Sequence, residues 1–289
     1  MEERTGDVDA AEAAAALGAL ADEARIDILL ALWQSDPLGF AALQEAAGFE
    51  DSGRFNYHLD KLVARFVTKT DDGYHLTPAG AKAVDLVLDE RFGPTPAPID
   101  EPAGANCPEC GTELHATYED GDLELGCPAC ETLVHYGYFP PRGRAARNAD
   151  DFLDAYSQRL WRDFTLAHRG VCPHCSGRMQ TTVDADPGWY IDYAATSSCE
   201  DCGSTVGSTI GLRLLSDPEV VSFLGDHGIY VDDRRFWTFD FCLDDAGVTV
   251  ASTDPPRYVV PIDAGDETLA VTVDETATVV ETARRRPRH

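Results

Sequence analysis

Lysine is nearly missing from this chain. Of 23 cationic residues only Lys61, Lys69 and Lys82 are lysines, and the other twenty are arginines. No run of about 18 apolar residues occurs, so no transmembrane helix is expected. The first residues, Met1-Glu-Glu-Arg-Thr-Gly-Asp7, are acidic and lack the basic start and apolar core of an export signal. The expected location is therefore cytoplasmic, where thiols stay reduced. Three further absences argue against an enzyme. There is no Gly-rich phosphate loop, no nucleophile with a spaced His/Asp partner, and no carboxylate pair placed by spacing.

What is abundant is acid. The 289 residues carry 51 Asp and Glu, for a net charge of −28, while a hydrophobic content of 44% still allows two or three cored domains. Such acidity with so little lysine resembles halophilic, archaeal proteins that work in molar salt. There the Debye length falls to ~3 Å and like charges barely repel. An acidic protein for basic partners is the alternative.

Eight of the nine cysteines fall into four Cys-X-X-Cys pairs. Cys107/Cys110 stands sixteen residues before Cys127/Cys130, and Cys172/Cys175 stands twenty-three before Cys199/Cys202. Two intervening residues let one tight turn aim both thiolates at one ion, and the longer gaps each hold a β-hairpin. Two four-cysteine zinc ribbons follow, over 106–138 and 171–207, closed and structural in character. Disulfide pairs or a redox pair are the competing account, and iron satisfies four thiolates as well as zinc does. With four sulfurs per ion no open position remains to activate water. Nearby His115, His135 and His174 are read as structural, and Cys242 as a buried free thiol.

Helical periodicity and capping residues predict helices over Ala10–Leu20, from Asp22 to about Trp33, over Phe40–Ala47, from a Ser52 cap to about Arg65, and from Thr77-Pro78 to about Arg91. A hairpin of Val67–Thr70 and Tyr74–Leu76 separates the last two. Phe55, Leu59, Leu62 and Phe66 share one face of the fourth helix and point to the core. Arg54, Tyr57 and Lys61 fall opposite, flanked by Asn56 and Arg65, while His58 lies at the core edge. Residues 52–70 carry a local charge of +3 in a segment, 1–92, whose eight cations face eighteen carboxylates. Arginine forks to guanine, asparagine to adenine, and lysine holds phosphate. Arg54, Asn56, Tyr57, His58, Lys61, Arg65 and wing residue Lys69 are thus the candidate DNA contacts.

The stretches Leu20-Ala-Asp-Glu-Ala-Arg25-Ile-Asp-Ile-Leu29 and Asn56-Tyr-His-Leu59-Asp-Lys-Leu62, with the hairpin wing, resemble the ArsR-like family of winged helix-turn-helix transcriptional regulators. The resemblance covers residues ~10–91, about a third of the chain. It implies double-stranded DNA as partner and a homodimer packed through the last helix. Metal-sensing members carry a cysteine pair before the recognition helix. Here Leu38–Phe49 has none, so metal-driven release by that route is not expected.

Gly93–Pro102 reads as a stiff Pro-rich linker, extended to 105, before a regulatory domain over 106–289. Each ribbon is followed by an amphipathic helix, Asp150–His168 and one capped by Asp217-Pro218, in a loose duplication about seventy residues apart. Arg142, Arg144 and Arg147 form a basic loop between ribbon and helix. In the second ribbon, strands are expected near Arg178–Val183 and Trp189–Ala194. From Phe236 a period of two predicts a strand through Trp237, Phe239 and Phe241. Further strands follow at Val248–Ser252, Arg257–Ile262, Thr268–Val273 and Thr278–Thr282, an antiparallel sheet over 236–283 with a disordered Arg284–Arg288 tail.

The expected fold class is α+β: a winged helix-turn-helix, two zinc ribbons each followed by a helix, and a C-terminal antiparallel sheet. The expected function is a DNA-binding transcriptional regulator. The alternative is a protein–protein adaptor of the transcription machinery, since a winged helix followed by a zinc ribbon is similar to the archaeal general transcription factor E.

Overall fold

Aspartates start the first helices. The Asp9 carboxylate accepts the Ala11 and Glu12 amides to open α1 (Ala10–Leu20), and Asp22 accepts Ala24 N–H to open α2 (Glu23–Gln34). The computed structural model describes residues 9–89, 92 and 96–286. α3 (Phe40–Ala46) and α4 (Ser52–Leu62) follow, then the antiparallel hairpin β1 (Val67–Thr70) and β2 (Gly73–Leu76), and α5 (Pro78–Asp89). The cap of α4 is Asp51, whose carboxylate accepts Arg54 N–H at 2.6 Å, and not Ser52, which stands inside the helix. Positions 90 and 91 at the expected end of α5 lie outside the described residues.

The 3.6-residue period of α4 buries Phe55, Leu59 and Leu62 against Ile28, Leu29, Leu32 and Leu43. The Phe55 ring is met edge-on by Phe40 at 4.9 Å and Phe49 at 5.3 Å. Truncating such a ring typically costs ~3–5 kcal/mol, so this face holds α4 in place.

The chain splits near residue 95 into two compact units. In the second, β3 (Ile99–Asn106), β4 (Glu113–Glu119), β5 (Asp122–Gly126) and β6 (Leu133–Tyr138) form an antiparallel sheet in that order. The expected linker is thus corrected: 93–95 lie outside the described residues, but Ile99–Asn106 is an edge strand. Pro102 sits there opposite His115, which an edge tolerates because no second neighbour needs its missing N–H. The Trp237 indole, fully buried, donates to Ala103 O at 3.0 Å and pins the strand from behind.

A short helix, α6 (Pro141–Ala145), replaces the expected basic loop, with the Arg144 guanidinium over the Phe152 ring at 5.3 Å. Asn148 then caps α7 (Ala149–His168), which buries Phe152, Tyr156, Leu160 and Phe164. The second cysteine segment gives a three-stranded sheet, β7 (Met179–Ala185), β8 (Tyr193–Cys199) and β9 (Thr205–Thr209). Trp189 precedes β8 rather than starting it, and its indole donates to Leu133 O at 3.0 Å. α8 (Ile210–Leu214) and α9 (Pro218–Asp226) come next.

The strand expected from Phe236 is a 3-10 turn, Phe236–Thr238, followed by α10 (Asp240–Leu243). Phe236, Trp237, Phe239, Cys242 and Leu243 are all buried, and that crowded pattern fits a helical turn better than one face of a strand. A residue larger than glycine at 211 would place its Cβ 1.6 Å from Phe241 O, which is how closely α8 and α10 approach. The last sheet is the antiparallel meander β10 (Thr249–Thr253), β11 (Pro256–Ala264), β12 (Glu267–Asp274) and β13 (Val279–Arg285). Arg284 and Arg285 belong to β13, and Arg284 Nη1 meets Asp226 Oδ2 at 2.6 Å; of the expected tail only 287–288 lie outside the described residues.

One core joins both cysteine-bearing sheets, α7 and the meander. Arg213 lies inside this unit, 2% exposed, with no carboxylate partner among the described residues. Its Nε donates to Ser208 Oγ at 2.7 Å, Nη1 to Phe164 O at 3.3 Å, and Nη2 to Ala195 O at 2.8 Å and Val206 O at 2.6 Å. Burial pulls its pKa below the usual arginine value, to about 10, so it remains a cation at neutral pH, held by one hydroxyl, three carbonyl dipoles and the Phe164 ring 5.5 Å away. Arg213→Met would remove all four of these hydrogen bonds and is expected to lower unfolding free energy by ~3–5 kcal/mol in urea titration.

His135 gives a pH test of the same core. Its ring packs on Tyr156, Phe164 and Phe236, and its Nε2, shut off from solvent, has no hydrogen-bond partner among the described residues. Burial holds it at about 4, against 6.5 when free. The unfolded chain therefore takes up the proton first, and stability falls as pH drops from 6.5 towards 4. Relative to His135→Phe, the native protein should lose about 2 kcal/mol between pH 7 and pH 5 in denaturant melts.

Candidate functional sites

Four turns of one design carry the cysteines. In each, the first cysteine's amide donates five residues ahead: Cys107 to Thr112 O at 2.7 Å, Cys127 to Thr132 O, Cys172 to Gly177 O and Cys199 to Ser204 O, each at 2.9 Å. The residue after the second cysteine takes a positive φ, at Gly111 (74°), Glu131 (62°), Ser176 (63°) and Gly203 (74°). Glycine adopts that conformation freely, while Glu131 and Ser176 adopt it at a cost of roughly 1 kcal/mol.

The turns face each other in pairs. Within Cys107/Cys110/Cys127/Cys130, and within Cys172/Cys175/Cys199/Cys202, all four Sγ atoms lie inside 4.8 Å of one another. Facing sulfurs stand 3.6 Å apart for Cys107–Cys130, 3.4 Å for Cys110–Cys127, 3.7 Å for Cys172–Cys202 and 3.5 Å for Cys175–Cys199. A disulfide needs about 2.05 Å, and all nine cysteines are free. A tetrahedral ion with Zn–S bonds of about 2.3 Å spaces its sulfurs about 3.8 Å apart, close to both cages. Each centre has two buried and two exposed ligands, so it sits at the surface end of its sheet.

The surroundings favour thiolate at Cys110, Cys130, Cys172 and Cys202 and disfavour it at Cys107 and Cys175. Hydrogen bonds from the Thr112 hydroxyl and amide pull the exposed Cys110 down to about 6, while burial pushes Cys107 up to about 11. Thr132 Oγ1 lies 3.2 Å from Cys130 Sγ, and Ser204 Oγ lies 2.9 Å from Cys202 Sγ. These hydroxyls went unnoticed in the sequence, although a signal was present: Thr or Ser stands two residues beyond Cys110, Cys130 and Cys202. Cys242, buried in the shared core, is raised well above an ordinary thiol by burial and belongs to neither cage.

The first unit holds the other candidate set. Arg54, Asn56, Tyr57 and Lys61 are exposed on α4, Arg65 follows it, and Lys69 is exposed on β1. Lys61 Nζ sits 5.5 Å above the Tyr57 ring, Lys69 Nζ 5.3 Å above Tyr74, and the Arg54 guanidinium 5.9 Å from Phe49. Asn56 donates to Asp60 Oδ2 at 3.0 Å, and Arg65 pairs with Glu12. His58 departs from this set. It is 8% exposed, with Nδ1 3.5 Å from Asp22 Oδ1, because its place on the α4 wheel turns it inward beside Leu59. The exposed face therefore excludes it.

A family model described as Domain of unknown function (DUF7351) matches residues 104–279, more than half of the chain. The chain belongs to that family. A second model, Domain of unknown function (DUF7347), matches residues 13–87. No curated protein and no solved structure matches the chain. The two matches follow the split between the units, and the first encloses both cages.

Metal analysis by mass spectrometry should find two ions per chain. Cys107→Ser should reduce this to one and Cys242→Ser should leave two. Chelation should unfold both cysteine-bearing sheets, because closure of such a site supplies ~10–16 kcal/mol in isolated fingers.

Proposed function

We propose that this chain is a DNA-binding transcriptional regulator, with a winged helix in its first unit and two structural zinc ribbons in its second. One observation carries the reading. The first unit is strongly acidic, yet Arg54, Lys61 and Lys69 pair with no carboxylate among the described residues, while Arg25 and Lys82 do so within a helical turn. The three unpaired cations share α4 and the strand after it. In an acid-rich domain, cations left unneutralised on one exposed surface are suited to a polyanion. Arg54 and Asn56 read bases in the major groove, Lys61 and Lys69 hold phosphate, and Tyr57 packs against the backbone between them.

Exposed Leu17 on α1 and Leu86 on α5, at 61% and 50%, support a homodimer. The zinc ribbons build a rigid second unit that answers to another protein or ligand. A cytoplasmic location is part of the same reading; no helix among the described residues is long and apolar enough to cross a membrane. A second reading, an adaptor of the transcription machinery, is favoured by the exposed aromatics Tyr136, on β6, and Trp189, whose indole bonds to Leu133 of that strand. Nothing in the centres supports catalysis, since four thiolates close each ion.

Arg54→Ala and Asn56→Ala should each weaken binding to the cognate site by ~1–3 kcal/mol, roughly 5- to 150-fold, and nonspecific binding far less. Lys69→Ala should weaken both alike. Fluorescence anisotropy at fixed salt decides: equal loss on cognate and random DNA for Arg54→Ala and Asn56→Ala would contradict base reading.

A further inference from the structure

Between α9, α10 and the meander lies a cavity of about 310 Å³ that neither the metal centres nor the proposed DNA face uses. Its size is at the lower end for small-molecule sites, ~300–1,000 Å³. One side is carbon: Leu224, Phe239 and Val260 are buried there, and Phe241 and Ile229 are half-buried. The Phe239 and Phe241 rings meet at 5.6 Å with 50° between their planes, making an aromatic corner. The other side is acid. Asp240, Asp244, Asp245 and Asp263 all line the cavity, against a single cation, Arg234.

None of these four carboxylates forms an ion pair among the described residues, nor does Arg234. Asp245 is 9% exposed, its Oδ2 fixed by Tyr193 N–H at 2.6 Å, and burial raises its pKa above the usual carboxylate value. A buried carboxylate without a cation is costly, and a charged ligand removes that cost. Arg234 shows what the wall accepts: its guanidinium lies 6.0 Å from the Phe239 ring centre, a cation on an aromatic face. Gly247 holds the loop against β11, since a Cβ there would come 2.7 Å from Pro261 Cγ, so this wall keeps its shape.

We propose that this cavity binds an organic cation, an ammonium group on a short apolar body. Four acids against one arginine reject anions. A bare metal ion is disfavoured, because Asp244 accepts Ala246 N–H at 3.0 Å, Asp245 accepts Tyr193 N–H and Asp263 accepts the Thr268 hydroxyl, while half the wall has no oxygen to offer. The ammonium sits among the carboxylates and over the aromatic corner, and the apolar body covers Val260 and Ile229. This site lies wholly in the second unit and does not rest on the DNA-binding reading.

Calorimetric titration of the full-length, metal-loaded protein at constant ionic strength tests it, with phenethylamine as probe. The neutral isostere 2-phenylethanol and the anionic 3-phenylpropionate are the comparators. The amine is expected to bind one per chain and both comparators at least tenfold more weakly. Asp240→Asn, on the exposed first turn of α10, should weaken the amine at least fivefold with an unchanged melting temperature. Arg234→Ala, which removes the competing cation, should tighten it. Equal binding of the alcohol, no amine binding at millimolar concentration, displacement of the amine by equimolar magnesium, or indifference to both substitutions would each overturn the proposal.

Discussion

Eight cysteine sulfurs gathered into two cages no wider than 4.8 Å are the constraint on which the second unit depends. Four sulfurs that close repel as thiolates and compete for protons as thiols, so an ion that takes all four is the arrangement's natural complement. Each cage fixes two turns, each turn starts or ends a strand, and neither small sheet is large enough to fold on apolar burial alone. Around them a single core forms. Tyr118 and Leu123 come from one cysteine-bearing sheet, Ala195 from the other, Tyr156 from α7 and Ile262 from the meander.

Charge is handled in two opposite ways. Inside the second unit, Arg213 keeps its cation without a carboxylate among the described residues, and four protein acceptors fasten β8, β9 and α7 around it. Such a group contributes little net energy but makes wrong packings expensive, because any loosening strands a charge in a dry core. On the first unit the situation is reversed. Carboxylates are in excess, yet Arg54, Lys61 and Lys69 stand exposed and pair with none of them among the described residues. The same rule, that opposite charges pair where they can, makes both departures informative.

Much of this was legible from residue order. The cysteine spacing identified both cages before any geometry, because two-residue gaps and hairpin-length separations leave few other outcomes. The first five helices and the hairpin followed from capping residues and period. Two readings failed for physical reasons, and a third was left open. Pro102 looked like linker, but an edge strand has no use for the missing amide, and the Trp237 bond that pins it spans 134 residues. Phe236–Leu243 looked alternating, but Phe236, Trp237, Phe239, Cys242 and Leu243 are buried together in helical turns, a pattern one face of a strand does not give. At His58 the residue order left a structural histidine and a base contact open, and its place on the α4 wheel buries it 3.5 Å from Asp22. The cavity beside α10 was not legible at all, since its acids and aromatics converge only after three distant segments pack.

Within the proposed function, each unit has a separate task. The first unit meets DNA through one small cationic surface on an acidic body, and the second is a metal-braced body that receives a signal or a partner. Genome-wide immunoprecipitation of the tagged protein in its native host tests this most directly. The account predicts narrow peaks that share a near-palindromic sequence, as a dimeric reader of bases requires. Broad signal across most active promoters, with no common sequence, would contradict it and make the metal-bearing unit the functional surface.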